Sequence, residues 1–129
     1  MQLLNSKATN VSFVNNNPEG VDLKLKIDAD FNLYPAENDN TVSKGVINLN
    51  IQDINDDNDY PFIINIVYEG ILKYVPGENV AKLGFEVIFK ELKRFVALFT
   101  KDLGYESIDL PNMELNFSSE SEDFVEDLS

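Results

Sequence analysis

Along residues 21–33, VDLKLKIDADFNL, apolar and polar side chains alternate without a break. Val21, Leu23, Leu25, Ile27, Ala29, Phe31 and Leu33 fall on one side, and Asp22, Lys24, Lys26, Asp28, Asp30 and Asn32 on the other. A period of two is that of a half-buried strand; wound into a helix, the same residues would scatter around the axis. At about 3.3 Å per residue the run extends about 40 Å, well beyond the usual strand of about five or six residues. The pattern therefore predicts a long strand whose apolar face needs a broad cover.

Related runs flank it. A short first strand is predicted around NVSFV, with Val11 and Phe13 on one face, and NNNPEG then supplies turn residues before the long strand. YPAENDN ends the long strand by the same chemistry. VINLNIQ resumes the alternation with Ile47, Leu49 and Ile51, and the acidic loop DINDDND separates it from PFIINIVYEGILKY. Consecutive strands joined in this way predict an antiparallel meander. The fourth run differs from the others. Phe62, Ile64, Ile66, Tyr68, Leu72 and Tyr74 share one face, but Ile63, Val67 and Ile71 make the other face apolar too. One face can meet the chain's own helix, while the other calls for a partner subunit, a ligand or an exposed patch with a purpose.

After VPGEN the period changes. In VAKLGFEVIFKELKRFVALFTKDLG, Ala81, Phe85, Ile88, Leu92, Phe95, Phe99 and Leu103 recur every three or four residues, with Asn79 placed to cap the start and Gly104 to stop the helix. Lys90, Lys93, Arg94 and Lys101 are then expected toward water. A long amphipathic helix packed on one face of an antiparallel sheet is an α+β architecture. IDLPNMELNF reads as extended chain interrupted by Pro111, and SSESEDFVEDLS carries five acidic residues and no basic one. One domain is expected over residues 1–117, followed by an acidic tail over 118–129, disordered or a short helix.

Charge and composition narrow the chemistry. The 129 residues carry a net charge of −13, from 23 acidic and 10 basic side chains, which argues against nucleic acid as a partner. No stretch approaches the roughly 18 apolar residues of a membrane span, and the start MQLLNSKATN lacks the pattern of a secretory leader, so a cytoplasmic location and no membrane partner are expected. Without Cys or His there is no thiolate nucleophile, no Cys-ligated metal and no imidazole base or ligand. In the acidic loop, Asp53, Asn55 and Asp57 mimic the start of a calcium loop, but Asn58 stands where Gly is needed and Ile64 where the bidentate Glu is needed. Glu86 with Glu91, or Asp28 with Asp30, face water and lack the desolvation that acid–base work requires. The six glycines are scattered singly, so no phosphate loop occurs. Neither an enzyme nor a cofactor or metal site is expected. The remaining feature is a surplus of aromatics from Phe62 to Tyr105. Most belong to the core, but Phe89 widens the helix stripe and, with Tyr105, suggests a groove or an interface.

TNVSFVNNNPE, VDLKLKIDADF, PFIINIVYEGILKY and the run from IFKELKRFVALFTKDLG to IDLPNMELNF together resemble the SecB family of protein-export chaperones. The resemblance covers about residues 5–117 and lies in the order and spacing of the segments: Val11-Ser12-Phe13 before an Asn/Pro turn, Gly70-Ile71 in the fourth strand, and Leu110, Pro111 and Phe117 after the helix. It implies a four-stranded antiparallel sheet with helical cover on one face, assembly as a homo-oligomer (dimer or tetramer), and ATP-independent holding of unfolded polypeptide in apolar grooves. A net negative surface of this kind favours basic clients. Phe62, Ile64, Tyr68, Tyr74, Phe89 and Tyr105 are the groove candidates, and Val11, Phe13, Ile63, Val67 and Ile71 the candidates for the subunit interface. Two departures stand out. The acidic residues by which the family grips the translocase ATPase match Asn10, Val14 and Asn65 here, so binding of that ATPase is not expected. The family's Phe-Pro-Tyr-x-Arg is replaced by Phe89-Lys90-Glu91-Leu92-Lys93, and no full second helix is expected. The alternative expectation is an adaptor of the same fold that serves one partner, such as an antitoxin or a phage protein.

Overall fold

The computed structural model describes residues 1–18, 20–105, 108, 110 and 111. Four strands, β1 (Gln2–Asn15), β2 (Leu25–Pro35), β3 (Val42–Asp53) and β4 (Phe62–Lys73), form one antiparallel sheet, and a single helix, α1 (Val80–Asp102), packs on one face. This is the α+β architecture that the periodicities predict. The extended reading of residues 112–117 and the acidic tail lie outside the described residues.

The strand order is β1-β4-β3-β2, so the expected meander holds only from β2 to β4. β1 pairs with β4 along its whole length, from Gln2 opposite Lys73 to Asn15 opposite Phe62. β4 is thus an inner strand, hydrogen-bonded along both edges, while Ile63, Val67 and Ile71 on its face away from α1 stay only half-buried. β1 is also longer than expected, because two register shifts, between Leu3 and Asn5 and between Ala8 and Asn10, break its alternation without ending its pairing. β2 begins at Leu25 rather than Val21. Residues 21–24 keep the alternation of half-buried and exposed side chains but pair with no strand among the described residues.

Facing is as the alternation demands. Phe31, Leu33, Ile47, Leu49, Ile51, Phe62, Ile64, Ile66, Tyr68 and Leu72 are buried under α1, while Asp28, Asp30 and Asn48 are exposed on the other side. Asn79 caps the helix, its side chain accepting from the Lys82 N–H at 3.2 Å, and Gly104, at φ 92°, turns the chain beyond the helix end. Ala81, Phe85, Ile88, Phe89, Leu92 and Val96 form the buried face of α1; Phe95 and Phe99 are half-buried, Leu103 is exposed at the cap, and Lys93 is half-buried rather than fully in water.

The helix reaches the sheet at a paired glycine. Gly45 and Gly70 lie directly opposite each other on β3 and β4, and Ile88 descends between them. A Cβ at Gly45 would stand 2.6 Å from Ile88 Cδ1 and 2.9 Å from a Phe31 ring carbon; at Gly70 it would meet Leu3 Cδ1 at 2.8 Å and Ile88 Cγ1 at 2.9 Å. Side chains at these two points would force Ile88 and its neighbours Phe31 and Leu3 to shift. Gly45→Ala is therefore expected to lower unfolding free energy by about 1–3 kcal/mol through overpacking. Urea titration of the single variant, and of Gly45→Ala with Ile88→Val, checks this: the second substitution should return part of the loss.

Candidate functional site

An α-helix is about 10–12 Å across, whereas four strands about 4.8 Å apart place the outer strand axes about 14 Å from each other. One helix therefore cannot cover this sheet. α1 lies over β1, β4 and β3, and touches β2 through Phe85, whose ring meets Phe31 edge-on at 5.5 Å. Toward the other end of β2, Leu25, Ile27 and Ala29 are only half-buried, and so is Leu23 before it. This apolar strip runs at Leu23 into a pocket of about 170 Å³ lined by Asn15, Asn17, Pro18, Gly20, Val21, Leu23 and Tyr105. Tyr105, 38% exposed, forms one wall; its hydroxyl accepts from Asn15 Nδ2, and its ring meets Phe13 and Phe62 edge-on at 6.0 and 6.1 Å. Thr100 helps to tie back the chain beyond α1: its hydroxyl donates to the Val96 carbonyl at 2.9 Å and accepts from the Ile108 N–H at 3.0 Å, and Leu110 is buried. The arrangement can hold an apolar or aromatic side chain of an extended ligand by desolvation.

The predicted groove residues divide. Tyr105 lines the pocket, and Tyr74 is half-buried past the end of β4, its hydroxyl 2.9 Å from Ser43 Oγ. Phe62, Ile64 and Tyr68 are buried core residues, and Phe89, expected outside the core, is 4% exposed and stacked on Phe85 at 5.1 Å. These four have almost no surface to offer a ligand. Phe89 broadens the helix stripe because the sheet beneath is broad, not because it lines a groove. What the sequence reading missed is the strip itself. Val21, Leu23, Leu25, Ile27 and Ala29 were recognisable as one apolar face, and a comparison of helix width with sheet width is the signal that singles them out.

The proposed interface residues do not form one patch. Val11 sits opposite Ile66 and Phe13 opposite Ile64, on the helix side, where the Phe13 ring meets Phe62 at 5.5 Å. Ile63, Val67 and Ile71 are half-buried on the opposite face. That outer face is crossed by rungs, among them Asn10–Val67–Asn48–Asp30 and Ser12–Asn65–Asn50–Asp28, which border a shallow polar trough of about 450 Å³. Asn10, Val14 and Asn65 share this face, and Asp28 and Asp30 lie across β3 from β4.

The acidic loop is structural. The Asp53 carboxylate accepts from Asn58 Nδ2 and from the Lys24 and Asn55 N–H groups, and these bonds, that from Asn58 first, hold its pKa below the ordinary carboxylate value. Among the described residues no three His, Cys, Asp or Glu side chains converge on a possible metal site, and no helix is long and apolar enough to cross a membrane.

No protein-family model and no curated protein sequence matches the chain. In fold it is similar to the Rv1957 SecB-like chaperone of Mycobacterium tuberculosis, solved in complex with a ChAD peptide from the Rv1956 HigA1 antitoxin: TM-score 0.65 and 13% identity, over 87% of this chain and 90% of that one. The architecture is thus a SecB-like α+β fold. A protein of unknown function from Streptococcus agalactiae superposes at TM-score 0.43 and 15% identity, over 86% of this chain and 96% of that one.

Because Phe89 belongs to the core, Phe89→Ala should cost about 3–5 kcal/mol of stability, as truncation of a buried aromatic does. Thermal or urea unfolding measures it; a variant as stable as the parent would place Phe89 back at the surface.

Proposed function

We propose that the protein is a SecB-like molecular chaperone that holds unfolded or extended polypeptide on apolar surface without nucleotide. The observation that carries this reading is the half-covered strip of β2 running into the Tyr105 pocket, on a fold shared with a chaperone solved with a bound peptide. Apolar surface of this kind in an extended strip suits a polypeptide better than a compact metabolite. No catalytic step, cofactor or metal enters the proposal, and the place of action is the cytoplasm, which the lack of Cys fits.

A second reading is an adaptor of the same fold dedicated to one partner. It is favoured by the outer face, where Asn10, Val14 and Asn65 supply no carboxylates, so the translocase ATPase is left out of the proposed partners. A light-scattering assay with several unrelated unfolded clients separates the two. The chaperone should suppress aggregation of most of them without ATP, and Leu23→Ser should weaken suppression severalfold with little change in thermal stability. Equal aggregation with and without the protein would leave only the adaptor.

The proposed state is a homo-oligomer, dimer or tetramer. Leu4, Val11 and Leu98 are 51%, 38% and 57% exposed, and Ile63, Val67 and Ile71 are half-buried on the open outer face. Solution mass at micromolar concentration should exceed that of one chain, and Val67→Asp should dissociate or precipitate the assembly if the outer face takes part. A monomeric mass for the parent protein would sink the proposal.

A further inference from the structure

The net charge of −13 is not spread evenly. α1 carries five basic residues, Lys82, Lys90, Lys93, Arg94 and Lys101, against three acidic ones, Glu86, Glu91 and Asp102, which makes the helix a net +2. Half of all the basic residues therefore stand on one element. Lys90, Arg94 and Lys101 are exposed, and with Ala97 between them they follow the spacing of four, three and four residues that keeps side chains in one row along a helix. The row is about 16 Å long. Arg94 is partly neutralised by Glu91 at 3.0 Å, and Glu86 lies on the water side nearer the helix start. The Lys82, Lys90 and Lys101 side chains form no ion pair among the described residues.

We propose that this row docks an acidic, extended stretch of the bound polypeptide partner. An extended chain presents every second side chain on one side, about 6.6 Å apart, and positions four apart on a helix ridge rise about 6 Å, so alternate carboxylates meet Lys90 and Arg94 in turn. Lys101 takes a third carboxylate further along. A long polyanion such as nucleic acid fits less well, because its unbroken charge also meets the acidic remainder of the molecule, whereas a peptide confines its carboxylates to the row. The consequence refines the expectation that an acidic chaperone prefers basic clients: at α1 the local sign is reversed, and at physiological salt charges beyond about 8 Å are screened.

Because this rests on the polypeptide-binding reading, two measurements on the full-length protein run side by side. Fluorescence anisotropy compares a labelled extended peptide of alternating Glu and Ser with its Gln counterpart, and light scattering follows a neutral unfolded client. The Glu peptide should bind about tenfold tighter at low salt. That preference should vanish at high salt and in Lys90→Gln, Arg94→Gln, Lys101→Gln, a variant of exposed positions whose folding is checked by circular dichroism. Equal affinity for both peptides, a preference that survives the triple substitution, or row-dependent binding of an oligonucleotide as tight as the Glu peptide would each overturn the proposal. If the preference is absent while client holding persists, only this inference falls; if holding is absent too, the polypeptide-binding reading falls with it. A full-length variant with Glu120, Glu122, Asp123, Glu126 and Asp127 changed to amides completes the test. An unchanged preference supports a partner's segment as the occupant, and a preference seen only in that variant assigns the row to this chain's own acidic segment and overturns the proposal.

Discussion

The contact on which the rest of the structure depends is that of Ile88 with the glycine pair Gly45 and Gly70. Two residues without side chains, opposite each other on β3 and β4, open a saddle in an otherwise filled sheet face. Ile88 fills it and is fully buried. This seats α1 over β4 and its neighbours, and a helix seated there cannot also cover the far end of β2. The packed core and the half-covered strip on β2 are thus two results of one close approach. Burying Ile88 contributes about 1.5–3 kcal/mol, yet its larger effect is positional, since it fixes which apolar residues remain for a ligand.

Much of this was legible in the sequence, for reasons that differ by element. The alternation in residues 21–33 sorted Phe31 and Leu33 inward and Asp28 and Asp30 outward, because one side of the strand packs and the other meets solvent. Asn79 and Gly104 marked the helix ends through local backbone chemistry. β1 was underestimated because its two bulges invert the parity: Leu3, Ser6, Ala8, Val11 and Phe13 all lie opposite inward-facing residues of β4, but no single period of two connects them. Periodicity also says which side of a strand is apolar and nothing about which strand lies beside it. The order β1-β4-β3-β2 was therefore out of reach. At the candidate site, Tyr105 lines the pocket, whereas Phe89 lies in the core, since a wide apolar stripe on a helix reads the same whether the sheet beneath is broad or a groove lies beside it.

The position of β1 also bears on how the chain reaches this structure. β2, β3 and β4 are joined by connections of six and eight residues, and α1 follows directly, so these elements close short loops. β1 can complete its ladder only after β4 exists, with Asn15 paired to Phe62 and Gln2 to Lys73. Closing so long a stretch of chain is entropically slow, and non-local pairings of this kind set the pace of folding. In synthesis from the N-terminus, β1 emerges well before β4, the strand with which it pairs. Until β4 appears, Val11 and Phe13 lack the strand they lie against, and a protein proposed to shelter the unpaired segments of others must itself wait to pair one.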